Sequence, residues 1–218
     1  RQIGKQEKLD EIWVIARRKE RLTALQKESQ THLRIITGDL TKPETLREIE
    51  AMLWKEKPDV RILVNAAGYG KIGSWRDIKR SDVDGMIDLN CKAAVAMTQI
   101  TLPFMKRGAR ILQICSTAAF QPFPYLSVYA ATKAFLYRYS RALRVELYGT
   151  GIRVTAVCPY WIKDTEFIGV AKETDNPKAA HAVHHFPLAS KTKSVVRLAL
   201  LDNKLGLWVS TPGPVCFV

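Results

Sequence analysis

The sequence contains few cysteines and no paired cysteine motif. Its four cysteines, Cys91, Cys115, Cys158 and Cys216, lie far apart, and no two of them form a C-x-x-C pair. Three of them fall in apolar runs, where a thiol behaves as a small core hydrophobe. This distribution argues against a disulfide framework and predicts a reducing compartment.

Long apolar runs are also lacking. No stretch reaches the roughly 18 uninterrupted apolar residues that a membrane-spanning helix requires. The first residues, 1–10, are polar and helix-like, so they do not resemble a signal peptide. We therefore expect a cytoplasmic protein. The apolar segments 205–209 and 215–218 leave contact with a membrane surface or a partner as the alternative.

Acidic residues are in deficit. The chain has 34 Lys and Arg against 21 Asp and Glu, which gives a formal net charge of +13. Such a charge attracts nucleic acid, anionic lipid or phosphorylated ligands. The basic residues are nevertheless scattered through helix-like segments, without zinc-finger spacing or an arginine-rich arm. We therefore expect no nucleic-acid partner, and we interpret the charge as a solvated surface together with a phosphate site.

Strand-like and helix-like segments alternate along the chain. Apolar runs predict strands at 12–16, 33–37, 62–65, 110–115, 152–158 and, more weakly, 207–210. Helical patterns lie at 19–28, 42–54, 81–105 and 125–148. Continuous apolarity is typical of strands that are covered on both faces, as in parallel sheets. The 218 residues therefore predict a single α/β domain, a Rossmann-like three-layer sandwich with one doubly wound parallel sheet.

The segment 165–192 follows neither a helical nor a strand period. In an open α/β sheet, a long irregular excursion after the carboxyl end of a strand usually covers the ligand crevice. We therefore predict that this segment covers the substrate. It contains His181, His184 and His185, but no Glu or Cys set completes a metal site around them. We expect surface or pocket-lining histidines and no metal.

Ser116, Tyr129 and Lys133 form the strongest chemical pattern. Ser116 directly follows a predicted strand, and Tyr129 and Lys133 come later at the i and i+4 positions of one helix face. A phenol is a poor base at neutral pH, but a nearby ammonium favours its phenolate. We therefore predict that Lys133 lowers the pKa of Tyr129 for general acid/base catalysis, and that Ser116 hydrogen-bonds the substrate oxygen.

The segments 111–117 and 125–133 closely resemble the active-site region of the short-chain dehydrogenase/reductase family. In that family, the residues that match Ser116, Tyr129 and Lys133 are catalytic, and the lysine also binds the nicotinamide ribose. Asn90 matches the helix asparagine that completes the family's catalytic tetrad, where it bends the helix and holds a water. The resemblance covers nearly the whole chain and implies hydride transfer between a nicotinamide cofactor and a carbonyl or alcohol.

Further matches in family order imply contacts with the cofactor. Asn65, Ala66 and Gly68 match the motif after the fourth strand, where small residues let the backbone approach the adenosine side. Asp39 and Leu40 match the adenine-contacting aspartate and the apolar residue that follows it. The resemblance therefore assigns this part of the chain to the adenosine end of the cofactor.

The region after the sixth strand of the fold matches in part. Pro159 corresponds to the family's proline, and Thr165 corresponds to the threonine that contacts the carboxamide, one residue later than the common spacing. The glycine that usually follows the proline is replaced by Tyr160. Tyr160 and Trp161 are therefore expected to form a wall of the nicotinamide or substrate pocket.

The glycine-rich turn of this family is missing from the sequence. Dinucleotide folds normally open with a strand, a glycine-rich turn and a helix whose N-terminus holds the pyrophosphate. Here residues 1–6 resemble the tail of that helix, and the strand predicted at 12–16 corresponds to the second strand of the fold. We therefore expect the first strand and the glycine-rich turn to lie outside these residues.

Arg17 and Arg18 bear on the choice of cofactor, since they follow the strand predicted at 12–16. An acid at this position would bond the ribose 2′-hydroxyl and reject a 2′-phosphate, whereas an arginine offers planar paired donors to phosphate. No acid occurs here before Glu20. We therefore expect NADP(H) in preference to NAD(H), with Arg17 as the first candidate for the phosphate contact and Arg18 as the second.

Together these features predict an NADP(H)-dependent oxidoreductase that interconverts a ketone and a secondary alcohol. Phe167, Ile168, Val183, Phe186 and Leu188 in the covering segment favour a small hydrophobic substrate, as in hydroxysteroid dehydrogenases. The alternatives are a 3-oxoacyl-(acyl carrier protein) reductase and a nicotinamide-binding sensor or scaffold without turnover. The resemblance also implies homodimers or homotetramers that form through the long helices.

Overall fold

The computed structural model of the protein describes residues 2–174, 176, 178, 183 and 188–213. Parallel strands and helices alternate through this part of the chain. The strands are β1 (Glu11–Ala16), β2 (His32–Thr37), β3 (Ile62–Asn65), β4 (Arg110–Ile114), β5 (Arg153–Val157) and β6 (Val209–Ser210). The α-helices are α1 (Gln2–Gln6), α2 (Lys19–Glu28), α3 (Pro43–Glu56), α4 (Arg80–Ile87), α5 (Ala94–Thr101), α6 (Ser127–Glu146), α7 (Phe167–Lys172) and α8 (Thr192–Leu205).

The strands lie close to the predicted ones, and every strand pair is parallel. β1 pairs with β2, whereas β3, β4, β5 and β6 pair in that order. The predicted α/β class with a doubly wound parallel sheet is therefore confirmed. One difference is that the strands of the described residues form two separately hydrogen-bonded groups rather than one continuous sheet. The prediction that all 218 residues form one domain stays a prediction.

Helices cover both faces of the β3 to β6 group. On one face, Ile111 packs with Val154 and with Leu143 of α6. On the other face, Leu112 packs with Leu200 of α8. Neighbouring residues of a strand point to opposite faces, so a strand covered on both sides needs apolar residues at every position. This explains the continuous apolar runs in the sequence.

The long helix predicted at 81–105 is wrong, because the structure interrupts it. α4 is followed by a π-helical segment at Asp88–Ala93, then by α5 and by a 3-10 turn at Leu102–Phe104. The π-helical segment contains Asn90, whose side chain bonds the backbone of Tyr69 on a neighbouring loop. Such wide turns often occur at functional sites.

α6 is two residues shorter at each end than the helix predicted at 125–148. Tyr125 has a φ of 63°, in the left-handed region, so the helix cannot include it and begins at Ser127. α6 nevertheless has 20 residues and carries Tyr129 and Lys133 near its start. Neither α6 nor another helix of the described residues is both long and apolar enough to cross a membrane.

Three of the cysteines lie in the described residues. Cys91, Cys115 and Cys158 are free and buried. Cys115 and Cys158 share a cluster with Leu136 of α6. The prediction that these cysteines act as core hydrophobes is therefore confirmed, whereas Cys216 lies outside the described residues.

Candidate active site

A cavity of about 1050 Å³ opens at the carboxyl ends of the strands. Parallel strands end at a common edge, where α/β proteins bind their ligands. The loops after β1, β2, β3, β4 and β5 all contribute to its wall. The predicted site residues that line it are Arg17, Arg18, Asp39, Ala66, Gly68, Ser116, Tyr129, Lys133, Pro159, Tyr160, Trp161 and Thr165. The structure thus brings most of the predicted site together in one cavity.

Ser116 and Tyr129 place two hydroxyl groups side by side in this cavity. Ser116 follows β4 in an extended conformation, and its Oγ accepts a hydrogen bond from the N–H of Ala118 at 3.2 Å. The Ser116 hydroxyl approaches the phenol of Tyr129 closely enough to offset part of the rise in the Tyr129 pKa. The Tyr129 ring is buried, and its centre lies 5.2 Å from that of Phe167. Two hydroxyls that meet in this way can bind a single substrate oxygen.

Burial raises the pKa of Tyr129, and the nearby Ser116 hydroxyl offsets only part of that increase. The Lys133 ammonium lies 5.7 Å from the centre of the Tyr129 ring. Loss of water around the phenolate thus raises the pKa of Tyr129 overall, and the predicted lowering by Lys133 stays a prediction. Tyr129 is consequently a neutral phenol at neutral pH, and a neutral phenol can donate a proton.

Lys133 is held beneath the loop that follows β3. Its Nζ donates a hydrogen bond to the carbonyl oxygen of Ile114 at 2.7 Å, and burial lowers its pKa. A Cβ atom at Gly68 would lie 3.4 Å from this Nζ and 2.8 Å from Oδ1 of Asn90. Glycine at position 68 therefore keeps the space in front of the ammonium open.

Asn90 is fully buried and lies beside the cavity rather than on its wall. Its Nδ2 donates to the carbonyl oxygen of Tyr69 at 2.9 Å and to the Thr132 hydroxyl at 3.0 Å, while its Oδ1 accepts from the N–H of Tyr69 at 3.0 Å. These bonds join the loop after β3 to the helix that carries Lys133. The predicted bend of the helix coincides with the π-helical segment, whereas the water-holding role stays a prediction.

Arg17 and Asp39 lie at the ends of the two strands of the smaller group. Oδ1 of Asp39 accepts hydrogen bonds from the N–H and the hydroxyl of Thr41 at 3.0 and 2.8 Å. The bond from the Thr41 N–H is the main cause of the lowered pKa of Asp39, and the charges of Arg17 and Lys42 lower it further. The cavity therefore has a fixed carboxylate next to the guanidinium of Arg17.

The structure does not place Leu40 and Asn65 on the cavity wall. Leu40 packs against the apolar cluster around Ile49. The side chain of Asn65 donates hydrogen bonds to the Thr98 hydroxyl at 2.9 Å and to Oε1 of Gln113 at 3.0 Å. Side-chain contacts with the cofactor are therefore not supported for these two residues, because neighbouring elements already hold both side chains.

Pro159, Tyr160, Trp161 and Thr165 line the cavity as predicted. The Thr165 hydroxyl donates to the carbonyl oxygen of Ile162 at 3.1 Å, so it stabilises its own loop in this state. The Trp161 ring lies 6.1 Å from that of Phe167. Aromatic rings thus form one wall of the cavity next to Tyr129.

Glu166 and Arg21 are part of the site but carry no signal in the sequence. Glu166 lines the cavity and forms an ion pair with Arg18 at 2.8 Å and a second one with Arg21. The two arginines lower the pKa of Glu166 to about 2. Residues 18 and 166 are far apart in the sequence, so only the fold brings them together. The pairs connect α2 with the segment that leads into α7.

Lys71 is a second residue that the sequence did not reveal. It lines the cavity and is 7% exposed. Its Nζ donates to the carbonyl oxygens of Val170 and Glu173 at 3.0 and 2.7 Å. The Glu173 carboxylate, which is mostly exposed, lies 3.9 Å from the same Nζ, so backbone carbonyl groups at the end of α7 and one surface carboxylate hold the ammonium at the edge of the cavity.

The three histidines of the covering segment, His181, His184 and His185, lie outside the described residues, as does Phe186. Among the residues that are described, no group of three or more His, Cys, Asp or Glu could hold a metal ion. Val183, from the same segment, packs beside the cluster that contains Tyr129. The predicted covering role of residues 165–192 stays a prediction.

The residues of the cavity fit a nicotinamide dinucleotide. The cavity is long enough to join guanidinium groups after β1 to the hydroxyls of Ser116 and Tyr129. A Cβ atom would fill the space at Gly68, and one at Gly70 would approach the Tyr129 ring to 2.8 Å. Glycine at both positions leaves room for a flat group against the catalytic candidates. The arginines at one end of the cavity suit the phosphates of such a cofactor. The hydroxyl groups at the other end suit the proton transfer that accompanies reaction at its nicotinamide ring.

Comparison with known proteins identifies the family. The short chain dehydrogenase family model matches residues 6–176. The NADP-dependent 3-hydroxy acid dehydrogenase YdfG of Escherichia coli strain K12 is 39% identical over 167 residues, or 75% of this chain and 67% of that protein. The closed form of serine dehydrogenase complexed with NADP+ aligns with a TM-score of 0.83 and 30% identity, over 100% of this chain and 89% of that one.

A further solved structure is the bulky-bulky ketone specific alcohol dehydrogenase from Comamonas testosteroni. It aligns with a TM-score of 0.75 and 25% identity, over 94% of this chain and 77% of that one. The family match covers more than half of the chain, and the fold agrees with it. The protein therefore belongs to the short-chain dehydrogenase/reductase family, whose members are NAD(P)-dependent oxidoreductases that act on CH–OH groups.

Proposed function

We propose that the protein is an NADP(H)-dependent oxidoreductase that interconverts a ketone and a secondary alcohol. The observation that carries this proposal is that Ser116, Tyr129 and Lys133 line one cavity, with the Lys133 ammonium 5.7 Å from the centre of the Tyr129 ring. We assign catalytic roles to Ser116 and Tyr129, and we assign cofactor contact to Lys133. Bound NADPH supplies the hydride for the carbonyl carbon.

The proton reaches the substrate oxygen from Tyr129. Its pKa is raised by burial, so the phenol carries its proton at neutral pH and can release it when the oxygen becomes negative. The Ser116 hydroxyl donates a hydrogen bond to the same oxygen and stabilises the developing charge. Turnover in the oxidative direction requires Tyr129 to accept the proton, so the phenol must first lose its own proton, which its raised pKa makes less favourable.

Lys133 and Asn90 contribute in different ways. The Lys133 ammonium faces the open space at Gly68, where the ribose of the cofactor is proposed to bind. Asn90 is a positioning residue, because it holds Tyr69 and Thr132 in place without reaching the cavity. Its three hydrogen bonds keep the loop after β3 at the distance that the cofactor needs.

The cofactor preference rests on the cations after β1. Arg17 and Arg18 line the cavity, and Arg21 follows one helical turn after Arg17. The guanidinium groups here could bind a 2′-phosphate. No acidic residue follows β1 at positions 17–19 to bind the hydroxyls of an unphosphorylated ribose. The names of two similar proteins include NADP, and this agrees with the preference.

We propose a hydrophobic substrate on the basis of the cavity wall. Phe123, Leu126, Trp161, Phe167 and Val170 all line the cavity. Such a surface favours an apolar alcohol or ketone. The ketone-specific relative from Comamonas testosteroni is consistent with this class.

A hydroxy acid is the second candidate substrate, and Lys71 favours it. Its ammonium lines the cavity and bonds two backbone carbonyl groups, and its carboxylate neighbour Glu173 is exposed and 3.9 Å away. A substrate carboxylate could therefore pair with it. The names of the relatives from Escherichia coli and of the NADP+ complex refer to substrates of this kind.

The test follows the consumption of NADPH and NADH with steroid ketones, aromatic ketones, 3-oxo acids and acyl thioesters, and the oxidation of 3-hydroxy acids. Tyr129→Phe is the matched control, since it removes one hydroxyl and keeps the ring. We expect turnover with NADPH that disappears in the variant, whose NADPH affinity is unchanged. Turnover confined to acyl thioesters would identify a carrier-protein reductase. Tight NADPH binding without turnover across the whole panel would instead identify a sensor or scaffold.

A further inference from the structure

A second cavity lies at the end of the sheet opposite to the active site. It encloses about 400 Å³ next to the first residues of β4 and β5. Its lining residues are Arg107, Gly108, Arg144, Leu147, Tyr148, Gly149, Gly151, Ile152 and Arg153. The proposed mechanism uses none of them. Three arginines and no acidic residue line this cavity.

Two of these arginines are fixed in place without being neutralised. Arg144 donates to the carbonyl oxygens of Val154 and Gly206, both at 3.0 Å. Arg153 donates to the carbonyl oxygen of Lys204 at 2.9 Å. Carbonyl acceptors orient a guanidinium but leave its net charge in place. Burial lowers the pKa of Arg144, and the charge of Arg153 lowers it further, so the two cations repel each other.

Arg107 supplies a third guanidinium to the same cavity. Among the described residues, it forms neither a hydrogen bond nor an ion pair. A Cβ atom at Gly151 would lie 2.7 Å from Cγ of Arg107, so the arginine stem rests directly on the backbone there. The N–H of Gly108 bonds the carbonyl oxygen of Gly151 at 3.0 Å and joins the two loops. The third cation is therefore held beside the other two and keeps all its donors.

We propose that this cavity binds a small ligand that carries a phosphate or diphosphate group. Three guanidiniums without a carboxylate give an excess of positive charge that a multivalent oxyanion would neutralise. The free donors of Arg107 match the paired oxygens of such a group. The exposed Tyr148 ring at the rim of the cavity offers a surface for the remainder of the ligand. The site is separate from the cofactor cavity and does not depend on the proposed reaction.

Titration calorimetry of the full chain with inorganic pyrophosphate tests the site. The variant is Arg107→Ala, which removes a side chain without a structural partner. The matched control is Arg80→Ala, which removes the same charge from an exposed arginine on α4 that pairs with Asp84. We expect the affinity for pyrophosphate to fall about tenfold in Arg107→Ala and to be unchanged in Arg80→Ala.

A third variant, Arg17→Ala, distinguishes this site from the cofactor cavity. We expect it to bind pyrophosphate like the unmodified protein, and we expect Arg107→Ala to bind NADPH normally. Loss of pyrophosphate binding in Arg17→Ala but not in Arg107→Ala would place the anion in the cofactor cavity and overturn the proposal. No measurable binding of pyrophosphate to the unmodified protein, or an equal loss in Arg80→Ala, would overturn it as well.

Discussion

At the scale of single residues, Glu166 pairs with the guanidinium of Arg18, which we propose as a partner of the cofactor phosphate. Its carboxylate pairs with Arg18 and Arg21 in the cavity where a 2′-phosphate would bind. Removing its charge therefore frees a phosphate partner. We predict that Glu166→Gln binds NADPH about two- to fivefold more tightly and binds NADH as before, as expected for an exposed ion pair. Fluorescence titration with the two cofactors measures this.

Glu20→Gln is the control for Glu166, because it removes a carboxylate from the same helix that Arg18 precedes. It should leave the affinity for NADPH nearly unchanged. The pKa of Glu166 is lowered to about 2, so its effect should be constant between about pH 5 and 8. Weaker binding of both cofactors to Glu166→Gln would show that the carboxylate closes the site over the cofactor instead.

The sequence predicts the chemical groups of the site better than their ionisation. The spacing of Ser116, Tyr129 and Lys133 correctly indicates that they meet, because a strand end and one helix face determine their positions. The pKa of Tyr129 could not be predicted in this way, since it depends on how completely neighbouring elements exclude water. The pairing of Glu166 with Arg18 could not be predicted from the sequence either, because the two residues are 148 positions apart and meet only across the cavity.

At the scale of elements, Asn65 links β3 to β4 and α5. Its Nδ2 bonds Thr98 and Gln113, both of which are fully buried. Replacing Asn65 by the similarly sized leucine would leave Oε1 of the buried Gln113 without this donor. We predict that Asn65→Leu lowers the free energy of unfolding by about 1–3 kcal/mol, measured by urea denaturation. Its NADPH affinity should be unchanged, because the side chain does not line the cavity.

A different result for Asn65→Leu would support the cofactor contact that the family resemblance implies for Asn65. If the affinity for NADPH falls tenfold while the urea midpoint stays constant, then Asn65 contacts the cofactor. Arg17→Ala serves as the control for that measurement, since it should weaken NADPH binding without changing the urea midpoint.

The end of α3 offers a second test at this scale. Lys57 is its C-cap and has a φ of 47°, in the left-handed region that favours glycine. We predict that Lys57→Gly raises the free energy of unfolding by about 0.5–1 kcal/mol, because the strain of the side chain is removed. Lys55→Gly, inside α3, should lower it by about 1 kcal/mol. Urea denaturation of both variants checks the opposite signs.

Element positions follow from the sequence where a periodic pattern determines them. β1 and α2 lie close to or at their predicted bounds, because apolar runs and helical spacing are local signals. The break between α4 and α5 could not be predicted, since the π-helical segment at Asp88–Ala93 coincides with the bonds of Asn90 to another loop. Long-range contacts of this kind leave no mark on hydrophobic periodicity.

At the scale of the whole molecule, alternation of strands and helices predicts the fold class, but not the division of the sheet. The smaller group of strands, β1 and β2, is hydrogen-bonded to no other strand of the described residues. α/β topology follows from local patterns and the handedness of crossovers, whereas strand adjacency depends on every strand of the sheet. The net charge of +13 can likewise be counted from the sequence. The fold, however, determines which basic residues lie together, such as Arg107 and Arg144.

The outer face of α6 bears on the assembly of the molecule. Ala131, Phe135, Ala142 and Val145 are exposed, and their spacing places them on one side of the helix, with the exposed Arg138 among them. The Phe135 ring stacks on Tyr139 at 6.4 Å. An exposed apolar stripe on a long helix is a typical contact surface between identical chains. We therefore propose that the protein forms a homodimer or a larger oligomer through α6.

Phe135→Glu tests this assembly, because it replaces the largest apolar side chain of this face by a carboxylate that a dimer contact would have to desolvate. We predict that the unmodified protein sediments as a dimer or tetramer and that Phe135→Glu sediments as a monomer with unchanged helix content by circular dichroism. Trp75→Glu is the control, since it introduces the same charge at an aromatic residue that is 80% exposed on another surface. A monomeric unmodified protein, or an oligomer that survives Phe135→Glu, would exclude α6 as the contact and direct attention to the exposed leucines of α8, Leu198, Leu201 and Leu205.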